Sequence, residues 1–239
     1  LNKSIFLKKP TKLQIDFVLE KLNASKRPII YAGPGVRAYG AFPAFYRLIN
    51  ILKIPVVTSW NAQDLIETNN TLFVGRPGLR GERCGNWIVN SSDLVLIFGE
   101  FLSSRQIGYE NNAFSDNCFK IMVEHDFYEI NKPNIVIDLP INSDLSCFLD
   151  QLSVKASQVK FISDKNWLKK TRKTWESYKP AYKDYPIKEK INPYHFLFKF
   201  YEKLDNNKIV ILGNGISVVG SFQTAIIKKG QRNFQNYGS

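Results

Sequence analysis

The feature that most constrains this chain is a series of short apolar runs that do not alternate with polar residues. Pro28-Ile29-Ile30-Tyr31-Ala32, Ile54-Pro55-Val56-Val57-Thr58, Asp93 to Phe98 and Lys120 to Val123 are each of strand length and each end in turn residues. Runs of this kind are covered on both faces, which is the habit of strands in a parallel sheet. Asn134 to Asp138 is expected to complete the set. Helical periodicities separate the runs. Thr11 followed by Gln14 resembles a capping box, and Ile15, Val18, Leu19 and Leu22 then lie on one face, predicting a helix over about 11–25. Further helices are expected at Phe42 to Leu52, around Gly85 to Asn90 and at Asp144 to Leu152. The alternation predicts an α/β fold over residues 1–152: a doubly wound, mostly parallel sheet of the Rossmann-like kind.

Beyond residue 152 the composition changes. Residues 151–204 carry thirteen Lys/Arg against five Asp/Glu, and the chain is broken by Pro180, Pro186 and Pro193. We read 153–191 as a partly helical linker that Trp167, Trp175, Tyr178, Tyr182 and Tyr185 dock onto a domain surface. A fresh α/β unit occupies 192–239. It has a helix from Asn192-Pro193 to Leu204, a strand at Lys208 to Leu212 and helical potential from Ser217 to Ile227, and it stops before a sheet closes.

Composition excludes several function classes. The 239 residues are 44% apolar, enough for one large domain or a medium one with an appendage. The net charge of +12 is concentrated in the Lys-rich segment, and no recognition helix, zinc finger or RNA-stacking signature accompanies it, so a nucleic-acid partner is not expected. No run approaches the roughly 20 apolar residues of a membrane span. Three cysteines without a CxxC pair argue against a disulfide framework or zinc module and fit a reducing cytoplasm. Two histidines seventy residues apart cannot form a multi-histidine metal centre. The start, Leu1-Asn2-Lys3-Ser4, reads as an entry into something longer.

Four glycine-bearing segments are candidates for chemistry. Gly33-Pro34-Gly35-Val36-Arg37-Ala38 follows a strand and precedes a helix, matching a dinucleotide fingerprint with Ala38 in the third place. Against this, no acid closes the second strand, which ends in Thr58-Ser59, and Pro34 has no N–H to donate. A nucleotide-phosphate turn and a purely structural tight turn both remain open. Gly75 to Arg83 is glycine-rich and cationic, and reads either as an anion cradle or as a surface loop whose arginines meet water. Ser103 to Gly108, with Arg105, stands just past the third strand, where open α/β sheets bind ligands. Gly213-Asn214-Gly215 can present amides to a diphosphate, or be an Asn-Gly turn without chemical consequence. His125 and Asp126 are neighbours on an extended segment and point apart. Cys84 lies near arginines that could lower its pKa, but has no nearby base.

Taken in order, Lys26 to Val36, Ile54 to Ser59, the Gly75 to Asn86 loop, Ser91 to Gly99, Ser104 to Tyr109, Lys120 to Asp126 and Asp138 to Ile141 resemble the central domain of thiamine diphosphate enzymes related to acetolactate synthase. Asn192-Pro193-Tyr194, Val210 to Gln223, Lys229 to Arg232 and Asn236 to Ser239 are similar to the opening of that family's diphosphate-binding domain. The resemblance implies a 2-oxo acid decarboxylase or carboligase using thiamine diphosphate and Mg2+, acting on a small 2-oxo acid, and a homo-oligomer, since the family's cofactor lies between subunits. It implies that Gly213, Asn214 and Gly215 help hold the cofactor's phosphates and that Gly238-Ser239 begin a segment flanking its aminopyrimidine.

In some relatives the central domain holds flavin adenine dinucleotide, through the region matching Gly33, Gly35 and Val36, the loop of Arg105 and Gly108, and the strand end near Asp126. Here that match is partial: Ser103-Ser104 replace two aspartates, and Glu124-His125-Asp126-Phe127 replace an Asp-Ile-Asp-Pro turn. The family's activating glutamate belongs to a preceding domain and its magnesium-binding stretch to a following one, so no residue of this chain is expected to be catalytic or metal-binding, and the chain is expected to be inactive alone. The alternative is a nucleotide-binding or scaffolding module without chemistry. A sirtuin-like deacylase is disfavoured, because it needs paired cysteines for zinc.

Overall fold

The computed structural model describes residues 8–109, 114, 117–133, 135–159, 161, 163–178 and 190–236. Thr11 closes the expected capping box: its hydroxyl accepts from the Gln14 amide at 3.2 Å, and Gln14 Oε1 accepts from the Thr11 amide at 2.9 Å. Helix α1, Lys12–Ala24, starts there and buries Ile15, Val18, Leu19 and Leu22. Strand β1 (Pro28–Ala32) then leads through the short helix α2 (Gly35–Ala38) into α3 (Phe42–Leu52). Strand β2 (Val56–Thr58) is followed by a tight helical turn at Trp60–Ala62. Helix α4 (Arg83–Ser91), strand β3 (Leu94–Phe98), helix α5 (Ser104–Ile107), strand β4 (Phe119–Glu124), helix α6 (Phe127–Ile130), strand β5 (Leu139–Asn142) and helix α7 (Leu145–Gln158) complete the unit.

The five strands form one sheet in the order β2-β1-β3-β4-β5, every pair parallel. All five positions of β1 and of β3 are buried, which is why their sequences show no polar alternation. Helices α1, α3 and α7 pack together, as do α4 and α8 (Lys165–Ser177). Burial of their apolar stripes against the sheet supplies the main stabilisation, at about 25 cal/mol per Å2 of apolar surface removed from water.

The fifth strand lies later than the sequence suggests. The apolar run ending at Asp138 is not the strand; Val136 in it is exposed, and Asn134 lies outside the described residues. Asp138 instead accepts from the Lys120 amide at 2.8 Å, and pairing begins at Leu139. Pro140 stands within this strand because β5 is a sheet edge, where a missing N–H costs no ladder bond.

Helix α7 continues past Leu152 to Gln158, keeping Ala156 on its buried face. In the Lys-rich segment, α8 turns its lysines outward and buries two tryptophans. Trp167 Nε1 donates to the Pro28 carbonyl at 3.1 Å, and Trp175 Nε1 donates to Glu82 at 2.8 Å. Tyr178 is exposed, while Tyr182 and Tyr185 lie outside the described residues.

Helix α9 (Pro193–Lys203), strand β6 (Ile209–Leu212), helix α10 (Ile216–Thr224) and strand β7 (Arg232–Gln235) form a second unit, with β6 and β7 parallel. Its small core holds Tyr201, Val210, Leu212, Val218, Phe222 and, from the first unit, Trp60, whose ring stacks on Phe222 at 4.5 Å. Two polar pins fasten the seam. Asp64 accepts from Arg232 Nε at 2.8 Å and from the Asn233 amide at 3.0 Å. Arg76, 1% exposed, pairs with Glu82 at 3.2 Å and donates to the carbonyls of Phe222 at 3.3 Å and Ala225 at 3.0 Å. The Gly75 to Arg83 loop is therefore neither an anion cradle at Arg76 nor a solvated loop there, because that guanidinium is consumed in gripping the end of α10.

Candidate functional site

In a parallel sheet of this order, the neighbouring strands β1 and β3 send their connections in opposite directions, leaving a crevice at their carboxyl ends. The Gly33-Pro34-Gly35 turn stands at one lip of it. Its amides are committed within the protein: Gly33 donates to Phe98 O at 2.9 Å, Gly35 to Gly99 O at 2.9 Å, Val36 to Gly33 O at 3.2 Å and Arg37 to Pro34 O at 3.1 Å. Glycine is needed here for close approach. A Cβ at position 35 would lie 2.7 Å from the Gly99 Cα, and one at position 33 would lie 2.5 Å from Glu100 Oε2. The turn is thus packed against the backbone after β3.

Glu100, directly after that strand, is the residue that sequence reasoning missed. It is 4% exposed and lines a cavity of about 310 Å3 with Pro34, Ser59, Trp60, Phe101 and Arg105. Oε1 accepts from the Leu102 amide at 3.2 Å, while Oε2 has no hydrogen-bond partner among the described residues. The Ser59 hydroxyl is buried close by but is not in bonding geometry with it. Burial pushes the Glu100 pKa up to about 7, and Glu124 adds to this, against the smaller opposing effects of Ser59, the Leu102 amide and Lys132. The available signal was position: an acid just past Gly99, at the ligand-binding end of a covered strand.

A second cavity, of about 520 Å3, shares Trp60 and Arg105 with the first and is also lined by Arg80, Tyr109, Asn214 and Gly215. Sequence candidates from both units meet here. The Gly213-Asn214-Gly215 turn links β6 to α10, with Asn214 Oδ1 accepting from the Gly215 amide at 2.7 Å. Gly215 has φ +76° and ψ −136°, a backbone conformation that glycine alone adopts readily, and a Cβ there would meet nothing within 4 Å. The amides of Ile216 and Ser217 open α10 and have no intrahelical acceptor. With two arginines on the wall and no carboxylate among its described lining residues, this cavity favours an anion.

The other candidates lie apart. Gly108 ends α5 with φ +94°. Asp126 caps α6, its carboxylate accepting from the Tyr128 amide at 2.8 Å, and lines neither cavity. His125 Nε2 accepts from the Leu145 amide at 2.9 Å, capping α7, and its ring stacks on Tyr39 at 3.8 Å. Burial lowers the His125 pKa, against the pull of Glu124 and Asp144. Cys84 is not activated by neighbouring arginines; burial, helped by Glu82, pushes it up to about 12. Gly238 and Ser239 lie outside the described residues. Among the described residues no three His, Cys, Asp or Glu side chains gather to hold a metal, and no helix is long and apolar enough to cross a membrane.

Comparison with known proteins agrees with this architecture. Residues 15–152 match the family described as thiamine pyrophosphate enzyme, central domain. The chain is 30% identical over 189 residues to a probable acetolactate synthase large subunit of Methanococcus aeolicus, which covers 73% of this chain and 31% of that protein. It is 30% identical over 182 residues to the acetolactate synthase large subunit of Cyanidium caldarium, covering 74% of this chain and 30% of the relative. The large subunit from Lactococcus lactis is 26% identical over 187 residues, with coverages of 77% and 32%. The chain spans about a third of the length of these curated relatives.

Proposed function

The chain belongs to the thiamine pyrophosphate enzyme family through a central domain of acetolactate synthase type, and from that premise we propose that it serves a decarboxylase or carboligase acting on a small 2-oxo acid. The observation that carries this reading is the meeting of Asn214 and Gly215 with Arg80 and Arg105 around one cavity. Thiamine diphosphate, when bound, supplies the electron sink for the acyl-anion equivalent left by decarboxylation.

In this reading the Gly213 to Gly215 turn and the amides of Ile216 and Ser217 hold the diphosphate end of the cofactor. Arg80 and Arg105 raise its local concentration through their charge. Trp60, Val218 and Val219 furnish apolar wall that keeps water from the site. The resemblance assigns Gly238 and Ser239, which lie outside the described residues, to a segment flanking the aminopyrimidine. The magnesium ion is held by groups outside the described residues, and so is the activating glutamate. Residues 1–152 form the central domain, 153–191 the linker and 192–239 the opening of the diphosphate-binding domain. A cytoplasmic homo-oligomer belongs to the same reading, because in this family the cofactor lies between subunits.

Flavin adenine dinucleotide does not fit the crevice at Gly33. The amides that would meet its phosphates are bonded within the protein, and the Glu100 carboxyl lies against Gly33.

The test uses the full-length protein with thiamine diphosphate and Mg2+. We expect pyruvate consumption with acetolactate or acetaldehyde as product, and a cofactor-dependent rise in Tm that Gly215→Val diminishes. No turnover together with no cofactor-dependent shift overturns the reading.

A further inference from the structure

The cavity proposed to hold the diphosphate has walls from both units, with Arg80 and Tyr109 on one side and Asn214, Gly215 and Asn236 on the other. Its shape depends on how β7 and the Gly213 turn are held against the first unit. Asn236 continues β7, and its amide donates to the Leu212 carbonyl at 3.3 Å, so the strand end and the turn stand side by side.

What grips β7 is a charge. The Asp64 side chain is 3% exposed and lies between two guanidiniums, with Arg37 Nε 3.4 Å from Oδ1 and Arg232 Nε 2.8 Å from Oδ2. Oδ2 also accepts from the Asn233 amide at 3.0 Å, so one carboxylate holds β7 by a side chain and by its backbone. Arg37 is tied down separately: its Nη2 donates to the Asp64 carbonyl at 2.9 Å, and its guanidinium covers the Phe42 ring at 3.9 Å. The two cations act on each other. Burial lowers the Arg37 pKa, Asp64 opposes this, and Arg232 adds to it. The three side chains form a cation-anion-cation triad across the seam, balanced only while its middle member is charged.

We propose that Asp64 is a positioning residue for the cavity: its negative charge, held between Arg37 and Arg232, sets β7 and thereby Asn236 and the Asn214-Gly215 turn against the Arg80 wall. Asp64 lines neither cavity, so it acts through β7 and not on a ligand. Neutralising it leaves two guanidiniums without the carboxylate between them, and Arg232 is the one that moves, because Arg37 keeps its carbonyl partner. The strand then shifts, and the cavity loses the spacing at which one anion reaches both walls. By linkage, an anion that bridges the walls must in turn strengthen the grip of Asp64 on β7. Arg76 does not duplicate this role, since it holds the far end of α10 at Phe222 and Ala225. The role rests on the diphosphate reading of the cavity, and the outcomes below separate the two.

The test is calorimetry on the full-length protein with inorganic pyrophosphate and with thiamine diphosphate, each with Mg2+, together with amide exchange along β7. Asp64→Asn keeps the size of the side chain and removes its charge. Both ligands should then bind about tenfold more weakly, and the half-saturating cofactor concentration should rise by a larger factor than kcat falls. Arg232→Met alone leaves Asp64 paired with Arg37, and should weaken binding less. Asp64→Asn combined with Arg232→Met removes the facing cations and should bind more tightly than Asp64→Asn, a rescue that simple loss of contacts would not give. In the parent, pyrophosphate should slow exchange of the Asn233 amide; in Asp64→Asn it should not. If Asp64→Asn does not fold, the double variant decides: folding with pyrophosphate affinity supports the role, and failure to fold assigns Asp64 to stability alone and overturns it. Equal affinity of the parent and Asp64→Asn, or no rescue in the double variant, overturns the positioning role and leaves the diphosphate reading standing. No binding of either ligand by the parent overturns both.

Discussion

Two glycine turns, each between a parallel strand and a helix, have come to opposite ends. Gly33-Pro34-Gly35 is buried but for Pro34, with its amides donated to neighbouring carbonyls and its missing side chains replaced by the backbone after β3. Gly213-Asn214-Gly215 is exposed, with open space over Gly215 and the unaccepted amides of α10 behind it. The first uses glycine to let protein approach protein. The second keeps room for a ligand. A glycine motif therefore reports that something must come close to the backbone, and the packing around it decides whether that something is the protein itself.

The largest effect is expected where the two regions are held together. Arg76→Met should destabilise the chain by about 3–5 kcal/mol in urea denaturation, because Glu82 and the carbonyls of Phe222 and Ala225 lose a buried cation together. A change below 1 kcal/mol, taking ~1 kcal/mol as typical of an ordinary substitution, would mean that the seam is held elsewhere.

Next in size is the contrast between the turns themselves. Gly33→Ala drives a methyl into Glu100 and the Gly99 backbone and should cost about 3 kcal/mol, by overpacking. Gly213→Ala meets only Ser217 Oγ at 3.9 Å, and should stay within ~0.5 kcal/mol of the parent. Equal costs at the two positions would erase the distinction.

Glu100 sharpens the comparison through pH. Its folded pKa of about 7 lies above the ordinary value of 4.5, so the protonated form is favoured by folding. Its contribution is therefore fully present below that ordinary value and is lost as pH rises through the folded one, by roughly 3 kcal/mol at most. Glu100→Gln should flatten this fall and be the more stable protein at about pH 8. His125 runs the other way. Its folded pKa is lowered, so its contribution is present above the ordinary value of 6.5 and lost in acid, and His125→Ala should remove that acid-side slope. Denaturant midpoints measured across both ranges separate the two.

Gly215→Ala should cost about 1–3 kcal/mol in folding, because φ +76° with ψ −136° is a backbone region that glycine alone adopts readily. Its consequence should appear in the thiamine diphosphate-dependent shift of Tm, which Gly33→Ala would leave unchanged at a temperature where that variant is folded.

Much of the fold was legible because its cause is local. Unalternated apolar runs imply strands buried on both faces, and β1 and β3 are buried throughout. Thr11 and Gln14 cap α1 as their spacing suggests. The edge strand was displaced because Ile135 to Ile137 imitates a covered run, while the ladder begins beyond Asp138. The second cavity was legible only in pieces: Arg105 and the Asn214-Gly215 turn stood out separately, more than a hundred residues apart, with no local signal that they share a wall.

The sequence by itself determined the parallel sheet, the helices between its strands and the two places where the backbone must be bare, since periodicity and side-chain size act over a few residues. Tertiary structure alone decided which glycine turn stays open, that Arg76 is a buried pin, and that the Glu100 carboxyl is buried against Gly33. Those outcomes depend on desolvation and on hydrogen bonds between distant segments, and such energies exist only once the segments have met.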